Sequence, residues 1–295
     1  YKPPKWLNRL GKVGRLLFYT LKNDYEANGN LNDWREAIKS NRRLAVTEVN
    51  ILDYFSFSAG MRKVREVDLI IILHSALGDN TDTLTRVANQ FARRKCPMAV
   101  FIGNEHDLLS EKIDFLKQSN ADFICSQLPL ATAQFIYGDI SKNLKVLAIP
   151  HACNPALYNS ASDTSKNIDF LFIGAKYPLW LGDSERNDFV MECANQLAST
   201  NSIIKLDLSS KTSRGEWASN LRSAYGTIGA EAGTYFLDKR NVILSTAKKS
   251  YLENKSFDFN KFARDNNIHF VNGKAISSRH FEPLGTRTVQ LLLEG

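Results

Sequence analysis

No apolar run in the 295-residue sequence approaches the roughly 18 residues of a membrane-spanning helix. Its first ten residues lack the apolar stretch of a secretory leader. Cysteine is scarce: Cys96, Cys125, Cys153 and Cys193 stand far apart, none at CxxC spacing. That excludes zinc-ribbon and dithiol motifs, and each thiol reads as a small buried apolar group in a reducing cytoplasm. An Asp-x-Asp pair at the end of a strand is also missing. Asp79, Asp82 and Asp122 read as cap or turn residues, so no essential metal is expected. Basic residues exceed acidic ones, 38 to 31, for a formal charge of +7. The excess is dispersed over short clusters, at Arg42-Arg43, Arg93-Arg94-Lys95 and Lys248-Lys249, with no interleaved aromatics. Nucleic acid is thereby disfavoured as a partner, whereas a phosphorylated substrate or transient contact with an anionic inner leaflet suits the sign.

What the sequence does contain is alternation. Apolar runs at 15–20, 43–49, 68–74, 98–103, 123–125 and 146–149 read as buried strands, and helical patterns fall at 32–40, 81–94, 110–119 and 130–137. Strands alternating with helices predict a parallel sheet covered on both faces. Residues 154–167, rich in Asn, Ser and Asp, read as a linker. A strand at 168–173, a helix at 185–199, a strand at 203–208 and a helix at 215–225 then predict a second α/β domain. The expected domains are 1–158 and 159–295, both Rossmann-like. The segment 235–260 mixes helical and loop signals and gives no reading. The sequence opens without Met and closes on Leu291-Leu292-Leu293-Glu294-Gly295, which reads as the interior of a fold. A truncated C-terminal domain is therefore expected.

The strongest chemical pattern lies between Ser277 and Gly295. A Ser-rich turn leads to Glu282, and a Gly-containing loop leads into a helix expected from Thr286. Gln290 follows Glu282 after seven residues, and Gly295 follows five positions later, where it could end that helix. A nucleotide diphosphate needs backbone N–H groups, a helix N-terminus and cations. Gly285 and Thr286, flanked by Arg279 and Arg287, offer these, and Gln290 is a candidate acceptor for a ribose hydroxyl. A plain capped surface helix is the competing reading of the same residues.

This stretch resembles the GT-B fold retaining glycosyltransferases, of the family 4 type and the related spore-protein-like group. Their pattern is a Ser-containing turn, a Glu, seven residues, a second Glu, and a Gly five residues on; here Gln290 replaces the second Glu. The resemblance extends to the strand leading into Asn104-Glu105-His106-Asp107, to Ile149-Pro150-His151-Ala152-Cys153-Asn154-Pro155, and to Phe170-Leu171-Phe172-Ile173-Gly174. In all it spans roughly residues 65–175 and 270–295.

The resemblance implies two Rossmann-like domains facing a cleft and metal-independent transfer of a sugar from a nucleotide-sugar donor. The acceptor would be a glycan or lipid-linked glycan of cell-surface polysaccharide, lipopolysaccharide being one case, with the anomeric configuration retained. It places Glu282 and His106 at the reacting sugar and Gln290 at the ribose. The positively charged candidates for the diphosphate are Arg279, Arg287, Arg186 near the Gly174 loop, and Lys211; His280 flanks Glu282. The alternatives are a GT-B epimerase or phosphorylase, and a non-catalytic nucleotide-sugar-binding protein, to which Gln290 lends weight.

Overall fold

The computed structural model describes residues 14–20, 29–78, 80–160, 165–208 and 212–293. Lys211, Asp79 and Gly295, and most of 23–30, lie outside the described residues. The described residues fall into two compact units, one within 14–20, 31–126 and 133–149, the other within 29–30, 127–132 and 150–293.

In the first unit, strands β1 (Gly14–Thr20), β2 (Leu44–Asn50), β3 (Leu69–Ile72), β4 (Met98–Ile102), β5 (Phe123–Ser126) and β6 (Lys145–Ala148) form one parallel sheet. Its order is β2-β1-β3-β4-β5-β6, the reversal at β1 and β3 that marks doubly wound α/β sheets. Helices α1 (Gly29–Lys39), α2 (Tyr54–Lys63), α3 (Asp82–Thr85), α4 (Ala88–Phe91), α5 (Leu109–Gln118) and α6 (Leu130–Tyr137) connect the strands. Tyr19 is fully buried on β1, with its ring edge-on to Phe91 at 5.1 Å. Helix α2 has no counterpart in the sequence reading because Phe-Ser-Phe-Ser-Ala-Gly shows no helical period. What starts it is Asp53, whose carboxylate accepts from the N–H groups of Phe55 and Ser56. The helix expected over 81–94 is instead two single turns, α3 and α4. The chain leaves helical geometry between them, with Val87 at φ −113°, ψ 8°.

The second unit contains β7 (Ile168–Ile173), α7 (Glu185–Ala198), β8 (Ile204–Asp207), α8 (Arg214–Ser223), β9 (Ala224–Gly229), α9 (Val242–Glu253), α10 (Phe259–Asp265), α11 (Glu282–Gly285) and β10 (Val289–Leu292). Its parallel sheet has the order β10-β9-β7-β8, again with a reversal, between β7 and β9. Strand β7 shows why the sheet is covered on both sides. Leu171 and Ile173 pack with Trp217, Ala218 and Leu221 of α8, while Phe172 packs with Val190 of α7. Alternate residues of a strand point to opposite faces, so the apolar run over 170–173 needs a helix on each side.

Two sequence expectations fail in this unit. Residues 154–158 are no free linker: Asn154 accepts the N–H groups of Leu157 and Tyr158 through its carbonyl, and Tyr158 is buried in the core. The helix expected from Thr286 is strand β10, paired in parallel with β9 through Gln290↔Thr227. The four residues of α11 precede Thr286, and Arg287 takes a left-handed φ of 54° that ends the turn. The apolar run at 289–293 then continues extended along an exposed sheet edge. Among the described residues no helix is long and apolar enough to cross a membrane.

His151 is buried, and burial pushes its imidazolium down from 6.5 to about 4. The folded chain therefore keeps a neutral ring where the unfolded chain takes up a proton. The associated stability is complete above pH 6.5 and is lost as pH falls toward about 4, by up to about 3 kcal/mol. Thermal unfolding across pH 4–7 should show this loss, and His151→Gln should flatten the slope; an unchanged slope would refute the assignment.

Candidate functional site

The carboxyl ends of β7, β9 and β10 meet at the strand-order reversal of the second sheet, where open α/β sheets take their ligands. A cavity of about 220 Å³ opens there. Its floor comes from Phe172 and Ile173 of β7, Thr227 to Gly229 of β9, and Gln290 and Leu292 of β10. Tyr177, Arg186, Trp217, Ser277, Arg279 and His280 complete the wall.

Two guanidinium groups dominate its electrostatics. Arg186, on the first turn of α7, lies over the Tyr177 ring at 4.3 Å and the Phe172 ring at 5.3 Å. Gly174 makes room for it, since a Cβ there would come within 2.8 Å of the Arg186 Nη2. Arg279 sits over the Trp217 ring at 3.9 Å and donates from Nη1 to the carbonyl of Ile173 at 2.7 Å. Burial lowers the pKa of Arg279 and the nearby Arg186 charge lowers it further, whereas Glu282 raises it. An arginine stays protonated regardless, so the cavity carries two fixed positive charges.

The polar remainder is neutral. Ser277 Oγ and His280 Nδ1 are 3.2 Å apart. Burial lowers the pKa of His280, against raising contributions from a backbone hydrogen bond of Ser277 and from Glu231. Gln290 donates from Nε2 to the His280 carbonyl at 2.9 Å, which fixes the amide's orientation. Its Oε1 is buried in the same wall and has no hydrogen-bond partner among the described residues. A buried acceptor in that state is costly unless a ligand or water supplies the donor. The arrangement suits a ligand with a di-anionic group and at least one hydrogen-bond donor.

Of the residues singled out in the sequence, Arg186, Arg279, His280 and Gln290 thus share one cavity, with Gly174 beside it. Others sit elsewhere. Glu282 is buried and accepts from the Trp217 indole N–H at 2.7 Å, so its carboxylate stands behind the tryptophan that forms the wall. Gly285 and Thr286 end a turn rather than begin a helix, so the expected helix N-terminus for phosphate is not formed. Gly285 is needed for another reason: a Cβ there would lie 2.2 Å from the Tyr158 carbonyl oxygen. The Thr286 hydroxyl is buried and donates to Pro283 O at 3.1 Å. Arg287 is exposed. His106 belongs to the first unit, on the loop after β4, beside a buried Glu105 that accepts from Ser126 Oγ at 2.8 Å. Lys211 lies outside the described residues. Sequence reasoning passed over Trp217 and Tyr177. Trp217, Ala218 and Leu221 have the spacing of one helix face, and Tyr177 sits just past a strand end; both were legible positions.

Compared with protein-family models the chain matches none, and no curated protein matches its sequence. Among the described residues no cluster of three or more metal-ligating side chains occurs.

Trp217→Phe removes the N–H that satisfies Glu282 and thins the wall beneath Arg279. Denaturant unfolding should show a loss of about 2–3 kcal/mol. A loss under about 0.5 kcal/mol would mean that the indole–carboxylate bond is dispensable.

Proposed function

We propose that the second unit binds the nucleotide diphosphate of a nucleotide sugar and that the chain transfers the sugar to a glycan acceptor. The observation that carries this reading is the cavity at the β7/β9 reversal, which Arg186, Arg279 and Gln290 line together. The two guanidinium groups supply the charge that a diphosphate needs, and their planar forks match phosphate oxygens in pairs. Gln290 accepts from a hydroxyl of the ribose or an N–H of the base. Tyr177 and the apolar floor offer a surface for the nucleoside.

In the transfer, the bond between the anomeric carbon and the diphosphate oxygen breaks, and its electron pair leaves with the diphosphate. The acceptor oxygen forms the new bond and passes its proton to the departing diphosphate. Arg186 and Arg279 stabilise the departing charge, which grows in the transition state. Under this reading the two units correspond to the two Rossmann-like halves of a GT-B transferase. The first unit takes the acceptor, and His106 is its candidate group at the reacting sugar. The acceptor class follows from the same resemblance: a growing surface polysaccharide, with retained configuration.

A second reading, binding of a nucleotide sugar without turnover, draws on Glu282. Its carboxylate is engaged by Trp217 and is absent from the cavity wall, so the acid that the family pattern places at the sugar is not free to act there.

A thermal-shift screen with UDP, GDP, CMP and ADP, alone and as nucleotide sugars, tests the site. A ligand selective for the folded state at a hundred times its Kd adds about 2.7 kcal/mol, a rise of several degrees. One nucleotide diphosphate should give that rise, and Arg279→Ala should abolish it. No rise with any of them in folded protein overturns the reading. Release of free nucleotide diphosphate in the presence of a glycan acceptor separates transfer from binding alone.

A further inference from the structure

The two walls of the cavity come from segments distant in sequence, and one buried ion pair joins them. Lys274 Nζ donates to Asp183 Oδ2 at 2.6 Å, with side-chain exposures of 3% and 0%. Asp183 stands two residues before α7, and its other oxygen, Oδ1, accepts the N–H of Glu185 at 3.1 Å. The residue after Glu185 is Arg186, one of the two cavity cations. Lys274 begins the opposite wall. Its neighbour Ala275 exchanges two backbone hydrogen bonds with Ala232, at 2.9 and 2.7 Å, and Ala232 lines the cavity. Three to six residues further along the same segment stand Ser277, Arg279 and His280. The remaining neighbours of the Lys274 ammonium are the Tyr235 ring at 4.6 Å and Glu185 Oε2 at 3.7 Å, and the Tyr235 hydroxyl in turn donates to Glu185 at 3.0 Å.

A pair so deeply buried is a poor source of stability, because the desolvation of both charges consumes most of their attraction. Apolar side chains of similar size would hold the unit together as well. They would not fix the first turn of α7 against the 271–280 segment in a single register, which a short charged hydrogen bond does.

We propose that Lys274 and Asp183 are the positioning residues of this cavity: their ion pair sets the separation of Arg186 from Arg279, and hence the fit to a diphosphate. Neither side chain touches the ligand. The proposal rests on the nucleotide reading for its affinity consequence, but its structural consequence stands apart from that reading.

The test is the double variant Asp183→Asn, Lys274→Met. Asparagine keeps the Oδ1 cap on Glu185, and both charges go together, so no buried charge is left alone. Its melting temperature should stay within about 5 °C of the wild type. Amide hydrogen exchange should nevertheless accelerate about tenfold in residues 184–190 and 276–281, and stay unchanged in β8. Inorganic pyrophosphate, the probe for the paired guanidinium groups, should bind about tenfold more weakly. Lys274→Arg, which retains the charge, should behave as the wild type in both measurements. Unchanged exchange in both walls overturns the proposal. So does a double variant that melts far below the wild type, since the pair would then serve the unit as a whole. If the wild type fails to bind pyrophosphate, the diphosphate reading falls, and the exchange data alone decide the positioning role.

Discussion

Arg279 is open to solvent along part of its side chain, and its guanidinium has no carboxylate within 4 Å among the described residues. It is held instead by three weaker neighbours: the last carbonyl of β7, the face of Trp217, and the more distant charge of Glu282. Each of these comes from a different element, and each element has its own reason to be there. Strand β7 runs through the centre of the sheet because both its faces are apolar. Helix α8 lies on one of those faces and brings Trp217 to the sheet's carboxyl edge. The turn at Glu282 is anchored where Gly285 meets the Tyr158 carbonyl. Together they orient a side chain that stays open to solvent.

The same economy separates the two roles that a glutamate can take beside an arginine. A carboxylate in direct contact with Arg279 would neutralise it and leave the cavity without a net charge. At one indole's remove, Glu282 raises the arginine's pKa without pairing with it. Burial has a different effect on His280, whose lowered pKa keeps its ring neutral and prevents it from adding to the cationic total. The cavity therefore offers two fixed charges, a neutral ring and a fixed amide, a set whose character changes little across neutral pH.

Much of the architecture was legible in the sequence, because periodicity reports burial. The runs over 98–103 and 170–173 are unbroken apolar stretches, and such runs announce a sheet covered on both faces. Membership of the cavity was legible where a cation stands close to a strand end or to a serine-rich turn, as with Arg186 and Arg279. Residues 286–292 misled for a physical reason. Thr-Arg-Thr-Val-Gln-Leu-Leu has no decisive period, and the pairing with β9 that makes it a strand is a long-range contact that local spacing does not encode. Asp183 and Lys274 could not be matched in sequence at all: they are 91 positions apart, and a lone Lys or Asp reads as a solvated charge. Gly285 was read as a phosphate-binding glycine, whereas its lack of a side chain serves a backbone approach visible only after folding.

Gln290 stands on β10, and β10 is the outermost strand of its sheet, with Val289, Leu291 and Leu292 open to solvent. An outermost strand is paired on one side alone, and it belongs to the least protected backbone of a sheet. Part of the cavity floor is therefore mounted on the element that local opening would release first. Whatever engages the Gln290 amide also fastens that edge. Occupancy of the site and fraying of the sheet are thermodynamically linked: each closed edge favours the bound state, and each bound molecule lengthens the lifetime of the closed edge.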